Sequence, residues 1–371
     1  MFIKGGIRYA RANRFGDAIL EELPQSLDNI ESESILCPQQ LSVLGGSKGP
    51  DFKDDLMGED CLRVSVFAPE STDGKLLPVM AWIHGGSFVK GSGEFARYDA
   101  STLAEEQGIV VVNISYRVGA FGFLQGIDNK GLRDIEVALL WIKSYIKRFG
   151  GDPNDVTACG QSAGALCIAH LISTCKESLF RKAILFSPPL GIYISKSKTK
   201  KIRELIENKL KSQGCDLLTA SYSQLLGAQE YAISQSHKMP MPFSTEGLAR
   251  FPIMGKMKGI EKVLITTEHN DASPFVTKEL EPKVTKWLFR VPSKFFAWIL
   301  RRRGVKASWK EYNWSPEGLD WGACHTLETS LLLGSWESWN RAYMLKKLDE
   351  IEYRERCKSM RQEIADFIKT V

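Results

Sequence analysis

The chain has 371 residues, 43% of them hydrophobic, 25% charged and 10% aromatic, which excludes disorder, collagen and low-complexity fibres. A compact chain of this size buries roughly 75% of its unfolded surface, so its stability needs no disulfide or metal staple. The net charge of +5, from 49 Lys plus Arg against 44 Asp plus Glu, is scattered along most of the chain and makes no nucleic-acid footprint.

At the amino terminus, charges enter within the first dozen residues and no apolar stretch reaches signal-peptide length, so the expected location is cytoplasmic. Residues 79–84 (Val-Met-Ala-Trp-Ile-His) and 109–116 (Ile-Val-Val-Val-Asn-Ile-Ser-Tyr) are near-continuous apolar runs, the pattern of strands covered on both faces. Helical periodicity follows each of them, first over Ala100 to Gln107 and then over Leu132 to Phe149. In the second stretch Ile135, Ala138, Leu139, Ile142, Ile146 and Phe149 recur at threes and fours. Further strands are predicted at Val156 to Cys159, Ala183 to Phe186, Val263 to Thr267 and Ala307 to Trp314, and a long last helix at Trp336 to Lys369. Strands alternating with helices imply right-handed crossovers and a mostly parallel sheet, hence an α/β architecture. No repeat or linker divides the chain, so one domain over residues 1–371 is expected, with a helical, cap-like excursion at 190–305.

The longest charge-free window, Val156 to Cys175, has the length of a membrane span. It contains Gly160, Gln161, Ser162, Gly164 and His170, which fit a strand, a tight turn and a helix better, and no stable membrane insertion is expected. The eight cysteines include no Cys-X-X-Cys pair, and no histidine spacing suggests zinc. Basic residues are densest from Lys278 to Lys310, interleaved with Trp287, Phe289, Phe295, Phe296 and Trp298. An amphipathic helix there could touch a membrane. The commoner arrangement has Phe295, Phe296 and Ile299 packed inward, Lys and Arg solvated, and Pro292 breaking the run.

Residues 160–164 read Gly-Gln-Ser-Ala-Gly where an apolar strand meets a helical run, a candidate nucleophile elbow centred on Ser162. A serine hydroxyl needs an imidazole to take its proton and a carboxylate to orient that imidazole. His170 lies eight residues down the elbow helix, about 12 Å of rise away, and cannot reach Ser162. His84 ends a strand and shapes the following glycine loop; His237 and His269 have the setting of surface residues. His325 follows Gly-Ala-Cys after the last strand, where the order nucleophile, acid, histidine puts a catalytic histidine. Candidate acids, Glu268 and Asp271, leave the strand Val263 to Thr267. His84-Gly85-Gly86-Ser87-Phe88 supplies small residues on which oxyanion-binding N–H groups can be exposed, and the N–H of Ala163 adds one more.

Together these pieces resemble the type-B carboxylesterase and cholinesterase-like family of α/β-hydrolases. Glu59-Asp60-Cys61-Leu62, Tyr116-Arg117-Val118-Gly119, the helix entry from Asn129, and Phe149-Gly150-Gly151-Asp152-Pro153 leading into the elbow resemble its motifs in order. The resemblance implies an α/β-hydrolase fold with a mostly parallel central sheet flanked by helices. It implies a serine carboxylester hydrolase for short- to medium-chain esters with Ser162, Asp271 and His325 as triad and Gly86, Ser87 and Ala163 as oxyanion hole. Asp271 stands where the family usually has Glu followed by Gly, Ser87 where a third Gly is usual, and Ser187 at the position of a buried hydrogen-bonding serine.

Only 54 positions separate Asp271 from His325, so the helical cap is reduced and an open site is expected. Cys37 and Cys61 resemble a pair bridged in secreted relatives, or remain two neighbouring thiols. The expected partner is a small-molecule ester, with no cofactor, metal or nucleic acid and with the oligomeric state open. An interfacial lipase and a noncatalytic binding module of the same fold are the alternatives.

Overall fold

The computed structural model describes residues 2–40, 57–70, 74–174, 178–235, 241, 243 and 259–370. Its strands are β1 (Phe2–Arg8), a small pair β2 (Ala10–Arg11) and β3 (Ile19–Leu20), then β4 (Arg63–Ala68), β5 (Leu77–Ile83), β6 (Val110–Ile114), β7 (Gly151–Gln161), β8 (Lys182–Phe186), β9 (Lys262–Glu268) and β10 (Lys306–Tyr312). Eight of them form one sheet in the order β1-β4-β6-β5-β7-β8-β9-β10. The pairings β1–β4 and β4–β6 are antiparallel, and every other pairing in this sheet is parallel. Each predicted strand lies in this sheet, shifted by a few residues at its ends.

Near-continuous apolar runs are needed because both faces of the sheet are covered. Ala81, Ile83, Val112 and Ile265 point into one core, closed by helices α3 (Lys130–Tyr145), α4 (Ala163–Thr174), α5 (Lys196–Lys211) and α6 (Tyr222–Gln235). Their neighbours Met80, Trp82, Val111 and Leu264 point into the other, closed by α1 (Ser101–Gln107) and by helices near the carboxyl end. A short helix, α2 (Gly119–Phe123), precedes α3.

Three expectations are corrected. The run around Pro292 does not break: α7 (Glu281–Val284), a π-turn (Thr285–Arg290) and α8 (Val291–Arg302) form one continuous helical stretch. Pro292 falls in the first turn of α8; in the turn before it, Leu288 O accepts from the Gly191 N–H at 2.9 Å instead of from a helical donor, and the wider π-turn accommodates the proline ring. Phe296 and Ile299 pack inward as expected, whereas Phe295 is exposed and stacks on Trp298.

The predicted last helix is also three pieces. After α9 (Leu327–Leu332) come α10 (Trp336–Trp339), a 3-10 turn (Tyr343–Leu345) and α11 (Glu350–Lys369). Helix α11 has its own cap: the Asp349 side chain accepts from the Glu352 N–H at 2.9 Å. Between the helices Met344, Leu345 and Leu348 are all buried.

Candidate active site

Strand register decides where the loops open. Ile83 pairs with Gly160, Gln161 with Phe186, and Phe186 with Thr266, so the carboxyl ends of β5, β7, β8 and β9 finish side by side. In an open parallel sheet that edge is where ligands bind. The glycine loop, Ser162 and the acid loop all leave from it.

Ser162 sits on the turn between β7 and α4 with φ +55°, a left-handed conformation for a non-glycine residue. Its N–H donates to Phe186 O (2.9 Å) and its carbonyl accepts from Leu166 N (2.9 Å), which holds the strained residue from both sides. A Cβ on Gly164 would run into the carbonyl oxygens of Ile83 and His84, so only glycine lets α4 press against the end of β5. The Ser162 residue remains 9% exposed, and its hydroxyl makes no hydrogen bond among the described residues.

The glycine loop turns back on itself. Gly86 (φ +114°), Ser87 (φ +56°) and Phe88 (φ +62°) are consecutive left-handed residues, and Gly86 O accepts from Val89 N and Lys90 N. No backbone carbonyl among the described residues takes the N–H groups of Gly86 and Ser87. The Ala163 N–H opens α4, where the helix leaves its first donors unpaired. His84 is a structural residue, as expected. Its ring is stacked on Tyr116 (4.2 Å, 9°), its Nδ1–H donates to Gly85 O (2.8 Å), and burial lowers its pKa to about 4, so it stays neutral.

On the other side, His325 Nδ1 donates to Asp271 Oδ1 at 2.7 Å, and both side chains are buried. Asp271 Oδ2 accepts from the Glu268 N–H at 2.9 Å. The acid loop is tied to the histidine loop by Asn270 N to Ala323 O (2.8 Å), and Ser273 Oγ donates to Trp321 O (2.8 Å). It is tied to the helical run through α7 and α8 by Ala272 N to Thr285 Oγ1 (2.8 Å), a hydroxyl that in turn donates to Glu281 Oε1 (2.6 Å). Phe275 and Phe289 pack on the imidazole at centroid distances of 5.1 and 5.2 Å.

With Nδ1 as donor, His325 Nε2 carries the lone pair, and Gln161 Nε2 donates to it at 3.0 Å. The structure thus brings Asp271 and His325 together, and Gln161, not Ser162, occupies the acceptor nitrogen. A Cβ on Gly85 would overlap Gln161 Oε1, which puts this amide against the glycine loop as well. Gln161 was not singled out from the sequence. Its position beside the candidate nucleophile was the available signal.

A second group missed in the sequence is Glu328, one turn past His325. Burial, and then the Asp271 charge, push its carboxyl up to about 7 against the lowering effect of His325. Glu268 is buried beside it and raised well above the ordinary carboxyl range, first by burial and then by the charges of Glu328 and Asp271. So Glu268 offers Asp271 its backbone and turns its carboxyl to Glu328. Of the remaining histidines, His170 is buried on α4, His269 contacts Glu311 at the surface (3.2 Å), and His237 lies outside the described residues. Cys37 and Cys61 are buried free thiols; a hydrogen bond to Cys37 and burial raise the Cys61 thiol. Ser187 is buried in a left-handed conformation (φ +46°), and its hydroxyl has no partner among the described residues.

Fold, register and the edge on which these groups meet define an α/β-hydrolase. The carboxylesterase family profile matches residues 5–243. A probable N-octanoylanthranilate hydrolase of Rhodococcus erythropolis is 32% identical over 98% of this chain and 88% of its own length. The para-nitrobenzyl esterase of Bacillus subtilis (strain 168) is 35% identical over 67% of this chain, a match spanning 46% of that enzyme. A solved PNB esterase superposes with a TM-score of 0.83 at 27% identity, covering 99% of this chain and 87% of the other. The chain belongs to the carboxylesterase family and is a carboxylic ester hydrolase.

Proposed function

We propose that the chain cleaves short- to medium-chain carboxylic esters through a serine acyl-enzyme. Ser162 Oγ attacks the ester carbonyl, and His325 Nε2 takes its proton and returns it to the leaving alcohol. Asp271 holds the imidazole in the tautomer that leaves Nε2 free to act as base. The N–H groups of Gly86, Ser87 and Ala163 receive the charge that develops on the carbonyl oxygen; each such donor is worth about 3 kcal/mol. Water then frees the acid by the same steps in reverse. Since Gln161 holds Nε2 at rest, substrate entry has to displace its amide before the base can meet the hydroxyl, a tightening of geometry common between free and occupied sites.

The observation that carries this reading is the 2.7 Å bond between Asp271 and His325, on the same sheet edge as the strained Ser162. Chromogenic acetate and butyrate esters test it. Ser162→Ala is expected to lower kcat by about 10⁶-fold while the protein stays folded; wild-type turnover in that variant would refute the serine assignment. An organophosphonate is expected to label the native protein at Ser162 and leave the variant unlabelled. The shortened stretch between acid and histidine favours an open pocket and a rate maximum at short acyl chains. A maximum at long chains would overturn that part.

A further inference from the structure

Helix α8 has two unlike faces. Ser293, Phe296, Ala297 and Leu300 are buried, and the helix packs on β9 and β10. Lys294, Phe295, Trp298, Arg301 and Arg302 form the outward face. On it Phe295 (47% exposed) and Trp298 (46%) stack with centroids 5.7 Å apart and planes 12° apart, and the Arg302 guanidinium lies over Trp298 at 5.3 Å. On the preceding turn of the same helical run Trp287 is 57% exposed, with Lys286 Nζ 5.0 Å from its ring. From Lys278 to Lys306 there are nine Lys or Arg against two Glu, and one of those, Glu281, is buried.

Exposed Trp and Phe in a row are costly in water, and cations laid over them do not hide them. At a bilayer surface the same set is favourable: aromatic rings settle at headgroup depth, and Lys and Arg meet anionic phosphates. We propose that the outward face of this helical run docks on an anionic lipid surface. Charge selects the occupant, since the aromatics sit inside a belt of one sign that complements phosphate-bearing headgroups. The run also carries Phe289, buried against the His325 ring, so a lipid surface held there lies beside the candidate active site. Among the described residues no helix is long and apolar enough to cross a membrane, and the contact is peripheral.

Flotation of the full chain with vesicles tests this without reference to catalysis. The chain is expected to float with phosphatidylcholine vesicles containing phosphatidylglycerol and to stay behind with phosphatidylcholine alone, with binding weakened by added salt. Removing two cations in Lys294→Gln/Arg302→Gln lowers partitioning about 30-fold, at about fivefold per cation. Trp298→Ala lowers it about tenfold through lost apolar burial. Both variants, folded by the measure of unchanged turnover of a soluble acetate ester, separate lost docking from lost fold. No flotation with anionic vesicles, or variants that float like the native chain, would overturn the proposal. So would sedimentation showing that the patch pairs two copies of the chain and ignores vesicles.

Discussion

The two sides of the candidate site are built by different means. On the side of Ser162 and the glycine loop, positions are set by backbone: left-handed residues at 86, 87, 88 and 162, and glycines at which a single added carbon collides with a neighbouring carbonyl or side chain. On the side of Asp271 and His325, positions are set by side chains: a carboxylate–imidazole bond, two phenylalanine rings, an amide from Gln161, and a threonine that ties the acid loop to the helical run before α8. Backbone geometry held by sterics fails all at once when a methyl group is added. Geometry held by a web of hydrogen bonds fails in steps, one partner at a time.

The largest separation is expected on the side-chain half. Asp271→Asn should lower kcat about 10⁴-fold by stabilising the wrong tautomer of His325, whereas Glu268→Gln keeps the backbone bond to Asp271 and should stay within about tenfold. Equal losses in steady-state turnover would move the acid to Glu268. On the backbone half, Gly86→Ala forces a Cβ into Lys90 O at φ +114°. It should cost about 10²- to 10³-fold in kcat as oxyanion donors turn away, with KM little changed; near-native kcat would mean that the loop is not the oxyanion hole.

A smaller effect is expected at Gln161. Gln161→Ala frees His325 Nε2 and should change kcat/KM by less than about tenfold, moving it upward if displacement of the amide slows substrate entry. A thousandfold loss would make Gln161 a direct participant instead.

The smallest effect on activity is expected at Glu328, where the readout is stability. Its pKa of about 7 lies above the ordinary 4.5, so between those values the folded state holds a proton that the unfolded state has lost. Stability from this group therefore falls as pH rises from 4.5 to 7 and levels above 7. Glu328→Gln should flatten that decline in denaturation midpoints measured across the range; an unchanged slope would assign the decline to other groups.

Much of the backbone half is legible in the residues themselves. Gly-Gln-Ser-Ala-Gly between an apolar strand and a helical run marks the elbow, and paired glycines after a buried strand mark the loop, because tight turns and close approach are local demands. The residues alone leave Glu268 and Asp271 both open as the acid, and the family resemblance favours Asp271; both leave the same strand end, and tertiary packing turns one toward His325 and the other toward Glu328. Phe295 went the other way from its expected side. Ser293, Phe296, Ala297 and Leu300 recur at threes and fours and take the inward face of α8, which leaves Phe295 outside it.

The sequence by itself determined the alternation of central strands and helices, the mostly parallel sheet and the three loops that carry Ser162, Asp271 and His325. Hydrophobic period and turn chemistry act over a few residues and are written where they act. Only the tertiary structure decided that Gln161 holds His325 Nε2, that Asp271 and not Glu268 bonds the imidazole, and that Glu268 and Glu328 share a buried niche. Those contacts join residues more than 50 positions apart, and their energies depend on which surfaces meet and how much water is left between them.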